Sequence, residues 1–153
     1  MTSALVLISP AMAVPSAFYR PLVAAFEQRG WTAQTLRSRG FGRDETAASR
    51  NVDWSYDDGI NDIADAVAKA RADDPDRPVI VLGHSIGAQL AAGHELNHVP
   101  SDGFVGVGAA VPHYKHYPFG GVPLIFMGLG VPLINRVWGH VPKPMFGGPG
   151  AGP

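Results

Sequence analysis

The sequence of 153 residues contains no cysteine. This absence excludes disulfide bonds and thiolate zinc sites, and it suits a reducing compartment, so we expect a cytoplasmic location. Charge is also scarce, because Asp, Glu, Lys and Arg make up only 16% of the chain and the formal net charge is −1. No basic run interleaved with aromatic residues occurs. The chain therefore lacks the sequence features of a nucleic-acid-binding surface, and we expect no nucleic-acid partner.

Long uninterrupted apolar runs are absent as well. The apolar stretch from Gly121 to Trp138 contains Pro123 and Pro132, and between these prolines it falls short of the about 20 residues that a membrane span requires. We therefore expect a lid or an interfacial segment here, and no membrane partner. Apolar residues still form 46% of the sequence, which is enough for one globular domain with a buried core.

Short apolar runs alternate with stretches of helical periodicity along the first 110 residues. This alternation predicts a parallel sheet covered on both faces by helices, with a core over residues 1–110 and the start of a cap over 111–153 that ends in a Gly/Pro-rich tail. The predicted strands are Ala4 to Ile8, Trp31 to Leu36, Pro78 to Leu82 and Phe104 to Val107; the predicted helices are Ser16 to Arg29 with Ser16 as N-cap, Ile60 to near Asp73, and Ile86 to Leu96; Arg37 to Asp58 is a predicted surface loop.

The segment Gly83-His84-Ser85-Ile86-Gly87 matches the Gly-x-Ser-x-Gly pattern of a nucleophile elbow. Such an elbow needs a buried strand that enters a helix through a tight turn, with small residues two positions before and after the serine. The flanking glycines and the neighbouring predicted elements meet each requirement. We predict that Ser85 lies at the carboxyl edge of the sheet as a nucleophile, with the Ile86 backbone amide directed at a developing oxyanion.

A second motif follows within the same stretch. His94-Glu95-Leu96-Asn97-His98 matches the His-Glu-x-x-His pattern of zinc metallopeptidases. That chemistry requires a third ligand and a helix that continues through the second histidine, but Pro100 ends the helix. Asp102, His113 and His116 are candidate third ligands without a recognised spacing. We therefore expect no metal or cofactor, and zinc peptidase activity (His94, Glu95, His98) is the alternative hypothesis, beside a non-catalytic hydrolase-like fragment.

The stretches "LISPAMAVPSAFYRPLVAAFEQRGW" and "VIVLGHSIGAQLA" together resemble the N-terminal half of bacterial α/β-hydrolases of the serine-esterase or serine-aminopeptidase-like kind. The resemblance implies an α/β-hydrolase fold, mostly parallel and incomplete at its C-terminus, that hydrolyses acyl compounds. It also implies that the backbone amide of Met12, or that of Ala11, is the second oxyanion donor beside Ile86. Pro10-Ala11 replaces the His-Gly pair that the family usually carries here.

The resemblance also implies a catalytic acid and a histidine base after the serine, in that order. No positions of this chain match them, so we expect a truncated chain. His113 and His116 follow the last predicted strand and are the candidate stand-in bases, whereas Asp102 precedes that strand and is a predicted turn residue. The expected substrate is a small-molecule ester or acyl compound, and the apolar segment Pro123 to Val137 points to a lipophilic group on it.

Overall fold

The computed structural model describes residues 3–41, 46, 49, 51–109 and 113–139. The chain forms two compact units, Met1–Thr46 with Trp54–Ala109, and Ala47–Asp53 with Ala110–Pro153. The described elements of the first unit are β1 (Leu5–Ser9), a 3₁₀ helix (Ser16–Tyr19), α1 (Arg20–Glu27), β2 (Thr32–Thr35), α2 (Tyr56–Asp73), β3 (Val79–His84), α3 (Ile86–Asn97) and β4 (Gly103–Val107).

The four strands form one parallel sheet in the order β2-β1-β3-β4. Its inner strand β1 is buried along its whole length, as a strand covered on both faces must be. Alternate side chains of β1 enter two separate cores: Leu5 and Leu7 pack with residues of α2 and α3 on one face, and Val6 and Ile8 pack against the 3₁₀ helix and α1 on the other. The predicted parallel sheet with helices on both faces is therefore confirmed.

The predicted helix over residues 16–29 is divided in the structure. A 3₁₀ helix precedes α1, and Pro21 lies in the first turn of α1, where its missing N–H leaves no hydrogen bond unmade. The prediction that Ser16 is the N-cap is wrong, because Pro15 holds that position. The Ser16 hydroxyl instead donates to the Leu36 carbonyl across 3.0 Å, which ties this segment to the end of β2.

Helix α2 begins at Tyr56, inside the segment predicted as a loop. A capping box explains the earlier start. The Asp58 amide donates to the Ser55 hydroxyl oxygen across 3.3 Å, and the Ser55 amide donates to the Asp58 carboxylate across 2.7 Å. Hydrogen bonds from the Ser55 amide and then the Ser55 hydroxyl lower the pKa of Asp58. Farther along α2, Asp62 accepts two hydrogen bonds from Arg39, of 2.6 and 2.7 Å, which fix the preceding loop.

The second unit contains two short 3₁₀ helices (Tyr114–His116 and Pro118–Gly121) and α4 (Val122–Trp138) among its described residues. The prediction that prolines divide this apolar segment is wrong. Pro123 lies in the first turn, where its missing N–H is tolerated, and the helix continues through Pro132 although this residue removes one internal hydrogen bond. The stretch Pro118–Val137 is long and apolar enough, by length and composition alone, to cross a membrane. The short-segment argument against a span therefore does not hold.

Candidate active site

Ser85 occupies the single residue between β3 and α3, with φ 55° and ψ −119°. A positive φ is unfavourable for any residue with a side chain, and such a conformation costs about 1–3 kcal/mol. The Ser85 amide donates to the Val107 carbonyl across 2.9 Å, and the Ala88 amide donates to the Ser85 carbonyl across 3.0 Å. These bonds to β4 and α3 hold the strained backbone, so the serine is presented at the carboxyl edge of the sheet, as predicted for an elbow.

Glycine is required on both sides of this turn. A Cβ atom at Gly83 would lie closer than 3.0 Å to backbone atoms of Ala88 in the first turn of α3. A Cβ atom at Gly87 would meet the carbonyl oxygens of Ser9 and Pro10 within the same limit. All of these neighbours are backbone atoms of packed segments and have little freedom to move away. The two glycines therefore allow the start of α3 to pack directly against the end of β1 and the residue that follows it.

Two backbone amides, one after β1 and one after β3, have no hydrogen-bond acceptor among the described residues. One is the Ile86 amide, at the first position of α3, where the helix dipole favours negative charge. The other is the Met12 amide, in the turn that follows β1. The Ala11 amide, in contrast, donates to the Tyr19 hydroxyl oxygen across 2.8 Å. Of the two loop amides singled out from the sequence, only the Met12 amide is thus available to a ligand.

The histidines of the first unit have separate surroundings. His84, the last residue of β3, is hydrogen-bonded through Nδ1 to the Tyr19 hydroxyl at 2.8 Å. His94 is only 1% exposed, and neither of its ring nitrogens has a hydrogen-bond partner in the described part of the chain. Desolvation lowers the pKa of His94, the Glu95 carboxylate opposes this shift, and electrostatic interactions with His98 and Arg71 reinforce it. His94 is therefore a neutral core residue at pH 7.

The His-Glu-x-x-His segment does not assemble a metal site in the described residues. Helix α3 ends at Asn97, and His98 follows it as the C-cap. The rings of His94 and His98 stack with their centroids 5.6 Å apart, while Glu95 accepts hydrogen bonds from the hydroxyl and amide of Ser101 at 2.6 and 3.3 Å. No group of three or more metal-ligating side chains occurs within the described ranges. The geometry gives Glu95 a structural partner and offers the two histidines no third ligand.

Asp102 lies at the amino edge of the sheet, before β4. Its carboxylate accepts a hydrogen bond of 2.8 Å from the Val79 amide, and its own amide donates to the Val79 carbonyl across 2.8 Å. This reciprocal pair joins the starts of β3 and β4, at the edge opposite Ser85. The prediction that Asp102 precedes the last strand is confirmed, and the residue lies at a bend there. His113 and His116 belong to the second unit, where their ring centroids lie 5.6 Å apart, and their role as stand-in bases stays a prediction.

No sequence pattern indicates the contact between Tyr19 and His84. Tyr19 lies within the predicted helix Ser16 to Arg29, and that prediction assigns it no hydrogen bond. Its hydroxyl reaches a residue 65 positions away in the chain, and no local pattern encodes a pairing over that separation. A buried tyrosine beside the β1 loop becomes recognisable as a hydrogen-bonding residue only once the sheet places β1 next to β3.

A family model described as "Serine aminopeptidase, S33" matches residues 1–142. Several solved structures are similar. MenH from S. aureus shares 16% identity with a TM-score of 0.62, and the match covers 90% of this chain and 46% of MenH. The esterase EaEST from Exiguobacterium antarcticum shares 19% identity (TM-score 0.63; coverage 88% of this chain and 49% of the esterase), and a soluble variant of monoglyceride lipase from Saccharomyces cerevisiae shares 18% (TM-score 0.62; coverage 89% of this chain and 44% of the lipase). The chain thus spans about half the length of these proteins. A comparison with curated proteins found no match.

Proposed function

Since the chain belongs to the serine aminopeptidase (S33) family of α/β-hydrolases, we propose that Ser85 is the nucleophile of a serine hydrolase that cleaves esters or related acyl compounds. The observation that carries this proposal is the strained backbone of Ser85 at the turn between β3 and α3. Holding a serine with φ 55° costs stability. Such strain is characteristic of an elbow that presents a nucleophile to a substrate.

The proposed reaction proceeds through an acyl-enzyme. The Ser85 oxygen forms a bond to the acyl carbon, its proton passes to a base, and the carbonyl oxygen becomes an oxyanion. We assign the Ile86 and Met12 amides as the donors that stabilise this charge. The bond to the leaving alcohol or amine then breaks as the leaving group takes up a proton. Water adds to the acyl-enzyme, which releases the acid and restores the Ser85 hydroxyl.

The proposal leaves the base to a histidine outside the β3–α3 segment. The His84 ring nitrogen Nδ1 is engaged by Tyr19, and His94 is enclosed in the core with a lowered pKa. We therefore assign the role of the base to neither of them. Among the sequence predictions His113 and His116 therefore remain the histidines to test, each by substitution with Gln.

A lipophilic acyl group is the substrate that we propose. Helix α4 carries large apolar side chains that are more than half exposed, and its described residues include no acidic side chain. An exposed apolar helix of this kind suits contact with an apolar group better than contact with a charged one. A monoglyceride lipase and an esterase are among the structures that the chain resembles, and their names fit an ester substrate with an apolar portion.

The test is covalent labelling of the protein purified from its own source with an alkyl fluorophosphonate. The Ser85 oxygen would displace fluoride from phosphorus, and peptide mass spectrometry would locate the adduct. We expect one adduct per chain, on Ser85, and none in Ser85→Ala. Ester turnover should fall by a factor of about 10³ or more in the same variant. An unlabelled protein, or an adduct that persists in Ser85→Ala, would refute the proposal.

A further inference from the structure

Tyr19 is a buried phenol that no step of the proposed reaction uses. The residue ends the 3₁₀ helix before α1 and is only 4% exposed. Burial raises its pKa, and the hydrogen bond from Ala11 opposes that rise in part, so the hydroxyl keeps its proton at neutral pH. A buried hydroxyl is stable only where its donor and its acceptor sites find partners. Its two partners are Ala11, in the turn after β1, and His84, the residue that precedes Ser85.

One of the two hydrogen bonds of Tyr19 has a fixed direction: the Ala11 amide can only donate, so the phenol oxygen accepts at 2.8 Å. The phenol oxygen also lies 2.8 Å from His84 Nδ1. In the tautomer that carries the imidazole proton on Nε2, Nδ1 accepts the single proton of the phenol and the buried hydroxyl is satisfied. An amide, a phenol and an imidazole thus form one chain of hydrogen bonds. It connects the loop after β1 with the residue that precedes Ser85.

The loop at the other end of this chain is strained. Residues Ala11 to Val14 form a turn in which the Val14 amide donates to the Ala11 carbonyl across 3.3 Å, a long hydrogen bond. Ala13 has φ 62°, a conformation that a turn of this kind usually gives to glycine. One long hydrogen bond is weak support for such a turn. The bond from the Ala11 amide to Tyr19 is therefore a main restraint on where the next amide, that of Met12, lies.

We propose that Tyr19 is a positioning residue whose hydroxyl fixes the Ala11–Val14 turn to His84 and thereby holds the Met12 amide at the oxyanion site. This inference rests on the proposed function, in which Met12 and Ile86 supply the two donors. The described hydrogen bonds of Tyr19 are to Ala11 and His84, and neither is to Ser85. Its effect is on the geometry of an oxyanion donor, and loss of one such donor lowers the rate of acyl transfer by about 10²–10³.

The test compares Tyr19→Phe with the wild-type protein. This change removes one oxygen and keeps the ring, which packs edge-on against Phe18 and His84 at centroid distances of 5.4 and 6.0 Å. Tyr56→Phe is the matched control, because Tyr56 is 57% exposed at the start of α2. Labelling by the alkyl fluorophosphonate is followed at several probe concentrations, well below the unfolding temperature, so that the rate constant at saturation is separated from the concentration for half-saturation.

A displaced donor acts on the phosphoryl transition state and not on binding of the alkyl group. We expect the saturating rate constant of Tyr19→Phe to fall by about tenfold or more, with half-saturation unchanged, and Tyr56→Phe to react like the wild type. General loosening of the fold would instead raise the half-saturation concentration or reduce the fraction of protein that reacts. Wild-type rates in Tyr19→Phe would overturn the inference and leave the proposed function intact.

Nuclear magnetic resonance of the same variants tests the link without any reaction. The ¹⁵N shifts of His84 should report an unprotonated Nδ1 in the wild type and a change of tautomer population in Tyr19→Phe, and hydrogen exchange of the Ala11 amide should accelerate by up to about tenfold. Unchanged His84 shifts and Ala11 exchange would overturn the link itself. Absence of labelling in the wild-type protein would overturn the proposed function, and the positioning role would fall with it whatever the spectra show.

Discussion

Gly87 packs so closely on Ser9 that a single added carbon would meet the Ser9 carbonyl oxygen inside van der Waals contact. Gly87 belongs to the first turn of α3, and Ser9 is the last residue of β1. The contact therefore joins the helix after the elbow to the strand whose loop carries the Met12 amide. Both partners are backbone, and both elements belong to the core, so neither can retreat without loss of packing.

We expect Gly87→Ala to lower the free energy of unfolding by about 3 kcal/mol, the upper end of the cost of overpacking, because the clash is with backbone. Gly93→Ala in the same helix is the matched control. Its added carbon meets Ile60 Cδ1 at 2.6 Å, the movable end of a side chain, and alanine favours the helix by about 1 kcal/mol. Urea unfolding followed by circular dichroism measures both. Equal losses in the two variants would contradict the close-approach argument.

The backbone of Ser85 supports a second prediction. Glycine tolerates φ 55° without steric cost, so Ser85→Gly relieves the strain of this turn. Glycine also gives the unfolded chain more conformational entropy, which offsets part of this gain. We expect a net rise of about 1 kcal/mol in the free energy of unfolding. Ser85→Ala keeps the Cβ atom and should leave stability nearly unchanged. Thermal unfolding of the two variants distinguishes relief of strain from simple loss of the hydroxyl, and a Ser85→Gly variant less stable than Ser85→Ala would refute the strain.

A third prediction concerns Asp102, which lies at the amino edge of the sheet, opposite the edge that carries Ser85. Asp102→Ala removes the acceptor of the Val79 amide, and an unsatisfied amide at this buried position costs about 1–3 kcal/mol. Asp102→Asn keeps an acceptor oxygen and should cost less. Neither change should alter the rate of Ser85 labelling, since Asp102 lies before β4 and Ser85 lies after β3. If the Asp102→Asn variant kept its fold but its Ser85 were labelled much more slowly, Asp102 would have a catalytic role.

The sheet and the elbow could be predicted because their signals are local. An apolar run such as Val79–Leu82, followed by glycines on both sides of a serine, fixes a buried strand, a tight turn and a helix within a dozen residues. The apolar periodicity predicts the start of α2 too late, because the capping box of Ser55 and Asp58 starts the helix before the first apolar residue of the pattern. The local rule that proline interrupts a helix fails at Pro132, because α4 continues through this residue.

Contacts between distant segments account for the rest. The bonds of Tyr19 to Ala11 and His84 depend on which strands become neighbours and in what register, and a single sequence does not encode these at any fixed spacing. The engagement of the Ala11 amide, which leaves Met12 as the available donor, follows from the same contact. The candidate nucleophile can therefore be named from the sequence, but the hydrogen bonds around it can be identified only from the folded structure.

The last prediction concerns pH and rests on His94. Burial without a hydrogen-bond partner lowers the pKa of this histidine below its ordinary value of 6.5. As the pH falls through 6.5, His94 takes up a proton in the unfolded chain before it does so in the folded protein. The unfolded state then holds more protons, so the free energy of unfolding should decrease as the pH is lowered from 7.5 to 5.5.

His94→Leu tests this assignment, because it keeps an apolar side chain of similar size in the core and removes both unpaired nitrogens. We expect the variant to lose less stability between pH 7.5 and 5.5 than the wild-type protein loses. His98→Gln is the control, since His98 is exposed at the end of α3 and its removal should leave most of the pH dependence in place. Urea unfolding at several pH values measures the difference. A wild-type pH dependence that survives in His94→Leu would show that other groups cause it.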